Sequence, residues 1–256
     1  MSARRSVALV LAMTALAPLS AAARAQAPAR AAAGAPYVTT MVVGVGNRTL
    51  AQTRGVSAAA VTVSVGGRGC AVVAGTPLAA LEALRRAGGP GYGLRDYGRC
   101  GASQANSGQL FVYSLGGQTN RGQSGWEYKV DNVSGSTGAA DTSGPSGNGR
   151  LLRSGDQVLW FWCEARGGGC QRTLVLSPTG ATVTRGGSVT LAVYGADNEG
   201  RLAYEPGATV TLGGHRVTAG AYGHATLSAP AAPGRYAVTA MRPGAVPSFP
   251  GTIVVR

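Results

Sequence analysis

Apolar and polar residues alternate in short stretches along most of this chain, and the alternation predicts strands. Tyr37 to Val45 is a strand candidate that ends at a Gly46-Asn47 turn. Val61-Thr62-Val63-Ser64-Val65 alternates and stops at Gly66-Gly67, a hairpin signal. A further strand is expected at Leu110 to Leu115, and another at Trp126-Glu127-Tyr128-Lys129-Val130-Asp131. In the latter, period two puts Trp126, Tyr128 and Val130 on one face. Glu127, Lys129 and Asp131 fall on the other, the pattern of a sheet with one wet face. Val158-Leu159-Trp160-Phe161-Trp162 is apolar on both sides, as a central strand is. Trp160 and Trp162 share one side of it and Phe161 takes the other, so one side is expected to be partly open.

A single segment has helical spacing. Thr76 suits a cap, Pro77 the first helical position, and Leu78, Leu81 and Leu84 share a face. Arg85 and Arg86 complement the C-terminal dipole, and Gly88-Gly89 ends the helix. Asn132 to Gly149 is rich in Gly, Ser and Thr and reads as a mobile surface loop with nothing to contribute to a core. After Cys170 short strands follow one another with Gly and Pro turns and no helix: Val189–Val193, Ala208–Leu212, Ala225–Leu227, Tyr236–Ala240 and Thr252–Val255. That texture predicts a β-sandwich over residues 173–256, with a boundary near Arg172–Ser177. The fold class is mainly β: an α+β domain with one short helix over 37–172, then a β-sandwich.

Composition adds constraints. Among 256 residues there are 41 glycines and only 13% charged side chains, which favours turns and short strands over solvated helices. Lys129 is the only lysine. The formal charge is +13, but the arginines are scattered, with no dense run and no nucleic-acid motif, so no specific nucleic-acid binding is expected.

The N-terminus reads as a secretory signal peptide over 1–25. Ser2-Ala3-Arg4-Arg5 is a short positive region, Val7 to Leu19 is mostly apolar, and Ala23-Arg24-Ala25 or Ala25-Gln26-Ala27 offers a cleavage site. Pro18 interrupts the apolar stretch, which is shorter than the roughly 20 residues of a span, so no membrane span is expected in the mature chain. Residues 26–36, mostly Ala, Pro and Gly, read as a disordered stem. Loss of the leader removes Arg4, Arg5 and Arg24 and takes the charge from +13 to +10. The expected location is secreted, extracellular or wall-associated.

Four cysteines in an oxidising compartment favour disulfides over thiol chemistry or zinc. Cys163 and Cys170 flank a glycine loop, so a local bridge closes easily and leaves Cys70 to pair with Cys100 across the helix. Four cysteines allow three pairings, and the sequence alone does not choose among them. No cysteine pair has two-residue spacing and neither histidine lies near a cysteine, so no metal site is expected.

Gly125-Trp126-Glu127-Tyr128-Lys129-Val130-Asp131-Asn132, a variable loop, then Leu152-Arg153-Ser154-Gly155-Asp156-Gln157-Val158-Leu159-Trp160 resembles the transcobalamin C-terminal-like domain family, a bacterial family of unknown function often found in secreted proteins. The helix after Gly75-Thr76-Pro77-Leu78 sits where that family places its helix, and the resemblance covers roughly residues 37–172. It implies a β-grasp-like fold. Pro206-Gly207-Ala208-Thr209-Val210, the run Thr218 to Leu227 and Pro233-Gly234-Arg235-Tyr236 look like the immunoglobulin-like or prealbumin-like modules of bacterial surface proteins, which act as spacers. The first resemblance raises a corrinoid as a ligand, but no helical barrel that would hold one is present, and no ligand-binding residue carries over.

The candidate chemistry is non-covalent. Trp126, Tyr128, Trp160 and Trp162, with Tyr113, form either an aromatic platform for a glycan or flat ligand, or core packing. His215 and His224 lie far from every cysteine, and no Gly-x-Ser-x-Gly elbow occurs, so no catalytic residue is assigned. Gly44-Val45-Gly46-Asn47-Arg48-Thr49 is a chance match to a dinucleotide fingerprint, and Asp197-Asn198-Glu199-Gly200 reads as a turn. The expectation is a secreted or cell-surface, non-enzymatic binding or structural protein without a cofactor. Its partner would be a cell-wall component or another surface protein. A small-ligand carrier and a glycan-active enzyme are the alternatives.

Overall fold

The β-branched, alternating stretches form strands in the computed structural model, which describes residues 34–101, 108–165, 167 and 169–256. The segment read as a signal peptide, and the part of the expected stem up to residue 33, lie outside the described residues. The N-terminal part runs β1 (Tyr37–Gly44), a 3-10 turn (Val45–Asn47), β2 (Arg48–Ser57), β3 (Val61–Val65), β4 (Arg68–Val72), α1 (Pro77–Arg86), β5 (Tyr92–Asp96), β6 (Leu110–Leu115), β7 (Gln118–Thr119), β8 (Gly125–Val130), β9 (Val133–Ser134) and β10 (Gln157–Cys163). The C-terminal part runs β11 (Thr173–Ser177), β12 (Thr182–Val183), β13 (Ser188–Ala196), β14 (Leu202–Tyr204), β15 (Thr209–Leu212), β16 (His215–Thr218), β17 (His224–Ser228), β18 (Gly234–Met241) and β19 (Gly251–Val255). The protein is mainly β with one short helix. No helix among the described residues is long and apolar enough to cross a membrane.

The main N-terminal sheet has the order β2-β1-β10-β8-β9, with β10 in the middle and parallel to β1. A fully apolar strand belongs there because both of its faces are covered. Val38 and Val42 of β1, Trp126, Tyr128 and Val130 of β8, and Val158, Trp160 and Trp162 of β10 point to one side, where Leu78, Leu81 and Leu84 of α1 cover them. Thr76 caps α1 as expected, accepting from the Ala79 N–H at 3.3 Å. Both sulfur pairs are bridged: Cys70 with Cys100 and Cys163 with Cys170.

Glu82 pins α1 to the strand behind it. Its carboxylate is buried and accepts from Arg85 Nε at 2.7 Å, Arg85 Nη2 at 2.8 Å, Arg86 Nε at 2.8 Å and the Tyr92 hydroxyl at 2.8 Å. The Arg85 bonds hold its acidity at a pKa of about 2 against the opposing effect of burial, with Arg86 and Tyr92 adding to them. A carboxylate whose pKa is depressed in the folded state stabilises above its unfolded value of about 4.3, and that stability is lost as pH falls toward 2. The two arginines are half exposed, so solvent screening trims the gain. Glu82→Gln is expected to lose about 1–2 kcal/mol at pH 7. Urea titrations at pH 7, 4 and 3 check this: the gap between the two proteins closes as the pH falls. A constant gap would exclude the ionic contribution.

The C-terminal part has two sheets around one core. β11-β13-β14, with β17 also on β13, supplies Leu174, Leu176, Leu191, Val193 and Leu227. β12-β19-β18-β15-β16 supplies Val210, Leu212, Val238, Ala240 and Ile253. A third cluster joins the two parts. Met41, Val43, Leu159 and Phe161, on the side of the main sheet away from α1, pack with Val246 and the half-buried Phe249.

Candidate functional site

The four aromatic residues singled out above do come together. β8 and β10 pair Trp160 with Tyr128 and Trp162 with Trp126 in register. Trp126 and Trp162 meet edge to face at 5.9 Å, and Tyr128 and Trp160 are tilted at 5.4 Å. All four are at most 5% exposed, so they form a layer of the core and present no open platform. Period two was read correctly, but the side expected to be partly open is roofed by α1 and the opposite side by Val246 and Phe249. Trp126 Nε1 donates to the Gln118 carbonyl and the Tyr128 hydroxyl to that of Thr137. Trp160 Nε1 has no partner among the described residues, and Trp160 borders a void of about 90 Å³, large enough for water.

The Asn132–Gly149 segment is no mobile surface loop. It begins with β9 and folds back over the aromatic layer. Ala139 and Ala140 are buried in the α1 core, and the Ala139 carbonyl accepts the Leu78 N–H at 2.8 Å, satisfying a free donor of the first turn of the helix. Gly135 lies so close to the Tyr128 ring that a Cβ there would collide with it. The run of small residues permits this contact; it does not signal its absence.

On the face of β8 expected to be wet, Glu127 and Asp131 are exposed as the pattern implies, but Lys129 is not. It is 1% exposed. The C-terminal part covers it: its ammonium donates to the Asp197 carbonyl at 2.7 Å, the Ala196 carbonyl at 3.3 Å and Thr173 Oγ1 at 3.3 Å. Burial lowers its pKa to about 8, partly offset by the charges of Asp197 and Glu199. The turn it grips is tied again by the Ser134 N–H to the Asn198 carbonyl at 2.8 Å. Gly34–Arg256 accordingly holds together as one unit.

Beside this joint lies a cleft of about 540 Å³. Met41, Thr49 and Gln52 line it from β1 and β2; Thr239, Met241 and Pro247 line it from β18 and the segment after it. The wall is mostly apolar with a few hydroxyl and amide groups, the composition of a small-molecule site, and its size falls within the usual range for one. The segment forming the far wall is fixed by Val246 N–H to the Arg172 carbonyl, by Leu174 N–H to the Val246 carbonyl, and by Ser248, which bonds both backbone groups of Ala240. Nothing in the sequence pattern marks this cleft, because its residues come from two stretches, 41–52 and 237–250, far apart in the chain. Met241, apolar yet 55% exposed, is the one trace that period two leaves.

The turn and strand segments carrying the transcobalamin-like resemblance meet at a charged clasp. Arg150 bonds Asp156 at 2.8 and 3.0 Å and approaches Asp131 at 4.0 Å, while Asp131 accepts the Gln157 N–H. The clasp closes the end of the β8–β10 pair. His215 and His224 lie on β16 and β17 of the C-terminal sheets. Among the described residues no group of three or more His, Cys, Asp or Glu side chains is placed to hold a metal ion. The chain matches no protein-family model, and no curated protein is detectably similar to it in sequence.

Proposed function

We propose that this chain is an exported, non-enzymatic binding protein. A β-grasp-like domain is locked against an immunoglobulin-like sandwich, and a small, mainly apolar ligand is held in the cleft at their joint. The cleft of about 540 Å³ carries the reading. The packing of Met41 from one wall against the Val246–Phe249 segment of the other supports it, because a preformed site loses little freedom on binding. The leader-like N-terminus and two disulfides support export. The resemblance to the transcobalamin C-terminal-like family supports a binding role without specifying a corrinoid.

The test is fluorescence titration with a neutral, environment-sensitive apolar dye, N-phenyl-1-naphthylamine, on the folded full chain. Thr239→Trp fills the cleft from a half-buried strand position. It is expected to weaken dye binding about tenfold, the equivalent of about 1.4 kcal/mol, with an unchanged melting temperature. Equal binding by both proteins would remove the cleft as the site.

A further inference from the structure

The outer face of the β11-β13-β14/β17 sheet carries an aromatic and hydroxyl surface. Strand register sorts it into rows. Ser188 stands opposite Ser228, and Thr190 opposite Thr226. Ala192 is flanked by His224 and Ser177, and Tyr194 by Tyr204 and Val175. Directly paired residues share a face, so these side chains point away from the Leu191–Leu227 core. Tyr194 and Tyr204 stack at 5.0 Å, and His224 leans on Tyr204 at 5.6 Å. The neighbouring Tyr204 hydroxyl, with some burial, raises the pKa of Tyr194. Because the two rings stack on each other, they offer their edges and hydroxyls outward. The Thr190 and Thr226 hydroxyls are joined at 2.8 Å in the next row but one. Tyr222, in the turn before β17, is 75% exposed; the next residue, Gly223, packs against the Tyr204 ring, and Leu202 and Tyr204 of β14 are about half exposed.

Charge decides what this surface fits. The chain has 23 Lys and Arg, yet no position in these rows is charged. Arg172 and Arg201, which flank the sheet in sequence, approach Glu205 at 3.7 Å and Glu199 at 4.0 Å. A polyanion would find better surface elsewhere on this molecule. Rows of hydroxyls, an imidazole and an exposed aromatic ring match a ligand with many hydroxyls of its own and apolar C–H faces. We propose that this face binds a neutral glycan strand, with Tyr222 stacking on one sugar and the Tyr194–Tyr204 and Thr190–Thr226 pairs hydrogen-bonding its neighbours. This site is separate from the cleft and does not depend on it.

The experiment is isothermal titration of the full chain with cellohexaose and with chitohexaose, beside Tyr222→Ala and Tyr204→Ala. Tyr222 is exposed in a turn, so its removal leaves the fold intact. The wild type is expected to bind at least one of the two sugars. Each substitution should weaken that binding about tenfold, and raising NaCl to about 0.5 M should change it less than about twofold. Thr239→Trp should bind the sugar normally, which separates this site from the cleft. The proposal is overturned if neither sugar binds, if Tyr222→Ala binds as tightly as wild type, or if salt abolishes binding and so points to surface arginines.

Discussion

Replacing residues Gly135 to Asn148 by two glycines is expected to destabilise the protein by about 3–5 kcal/mol. The segment closes the core from the side of β8. Its removal uncovers the Tyr128 ring, strips Ala139 and Ala140 from the α1 cluster, and leaves the Leu78 N–H and the Tyr128 hydroxyl without their carbonyl acceptors. Each lost bond to a buried group costs about 1–3 kcal/mol, and the exposed apolar surface adds to it. The entropy recovered by shortening a loop is smaller, about 0.6 kcal/mol per halving of length. Ala140→Asp puts a charge at a fully buried position and should cost more than about 2 kcal/mol alone. Urea unfolding followed by tryptophan fluorescence measures both. A deletion mutant within about 0.5 kcal/mol of wild type would return the segment to the status of an appended surface loop.

That segment shows where sequence reading stops. Alternating or continuously apolar strands were legible: Val61–Val65, Leu110–Leu115, the Trp126 strand and the central Trp160 strand lie where the pattern put them, as does the helix from Pro77. Hydrophobicity alone sets those elements. Asn132–Gly149 was illegible because its contribution is made by backbone carbonyls and methyl groups, which carry little hydrophobic signal. The short strands β12, β14 and β16 were missed for the related reason that two to four residues do not show a period. The aromatic residues were singled out correctly as a group, yet their exposure was not readable. Period two says which side chains share a face but not whether a second layer covers that face. The same gap hid the exposed row of Tyr194, Tyr204 and His224. Those residues are scattered through ordinary strands and become neighbours only through the pairing of β13 with β14 and β17. The cleft is wholly a product of the joint and has no local signature.

Lys129 tests the joint itself. Its side chain is enclosed, and its three oxygen partners belong to the C-terminal part. Lys129→Ala is expected to cost about 2–4 kcal/mol, since it empties the space of the aliphatic stem and leaves the Ala196 and Asp197 carbonyls short of a donor. The charge on the ammonium works the other way. Its pKa is about 8 in the folded protein and about 10.4 in an unfolded chain. Below pH 8 the group is protonated in both states, and the folded state bears the full cost of burying the charge. Between pH 8 and 10.4 the unfolded chain holds the proton more tightly, so stability rises with pH, by up to about 3 kcal/mol. Lys129→Met keeps the stem and deletes the titration. Its stability relative to wild type should therefore be highest near pH 7 and fall steadily to pH 10. Denaturant titrations of the two proteins at pH 7, 8, 9 and 10 measure the difference. A difference independent of pH would mean that water reaches the ammonium and that the N- and C-terminal parts are less tightly closed on each other than the Lys129 contacts require. The cleft between the same two parts would then be a mobile gap, and the preformed ligand site would lose its physical basis.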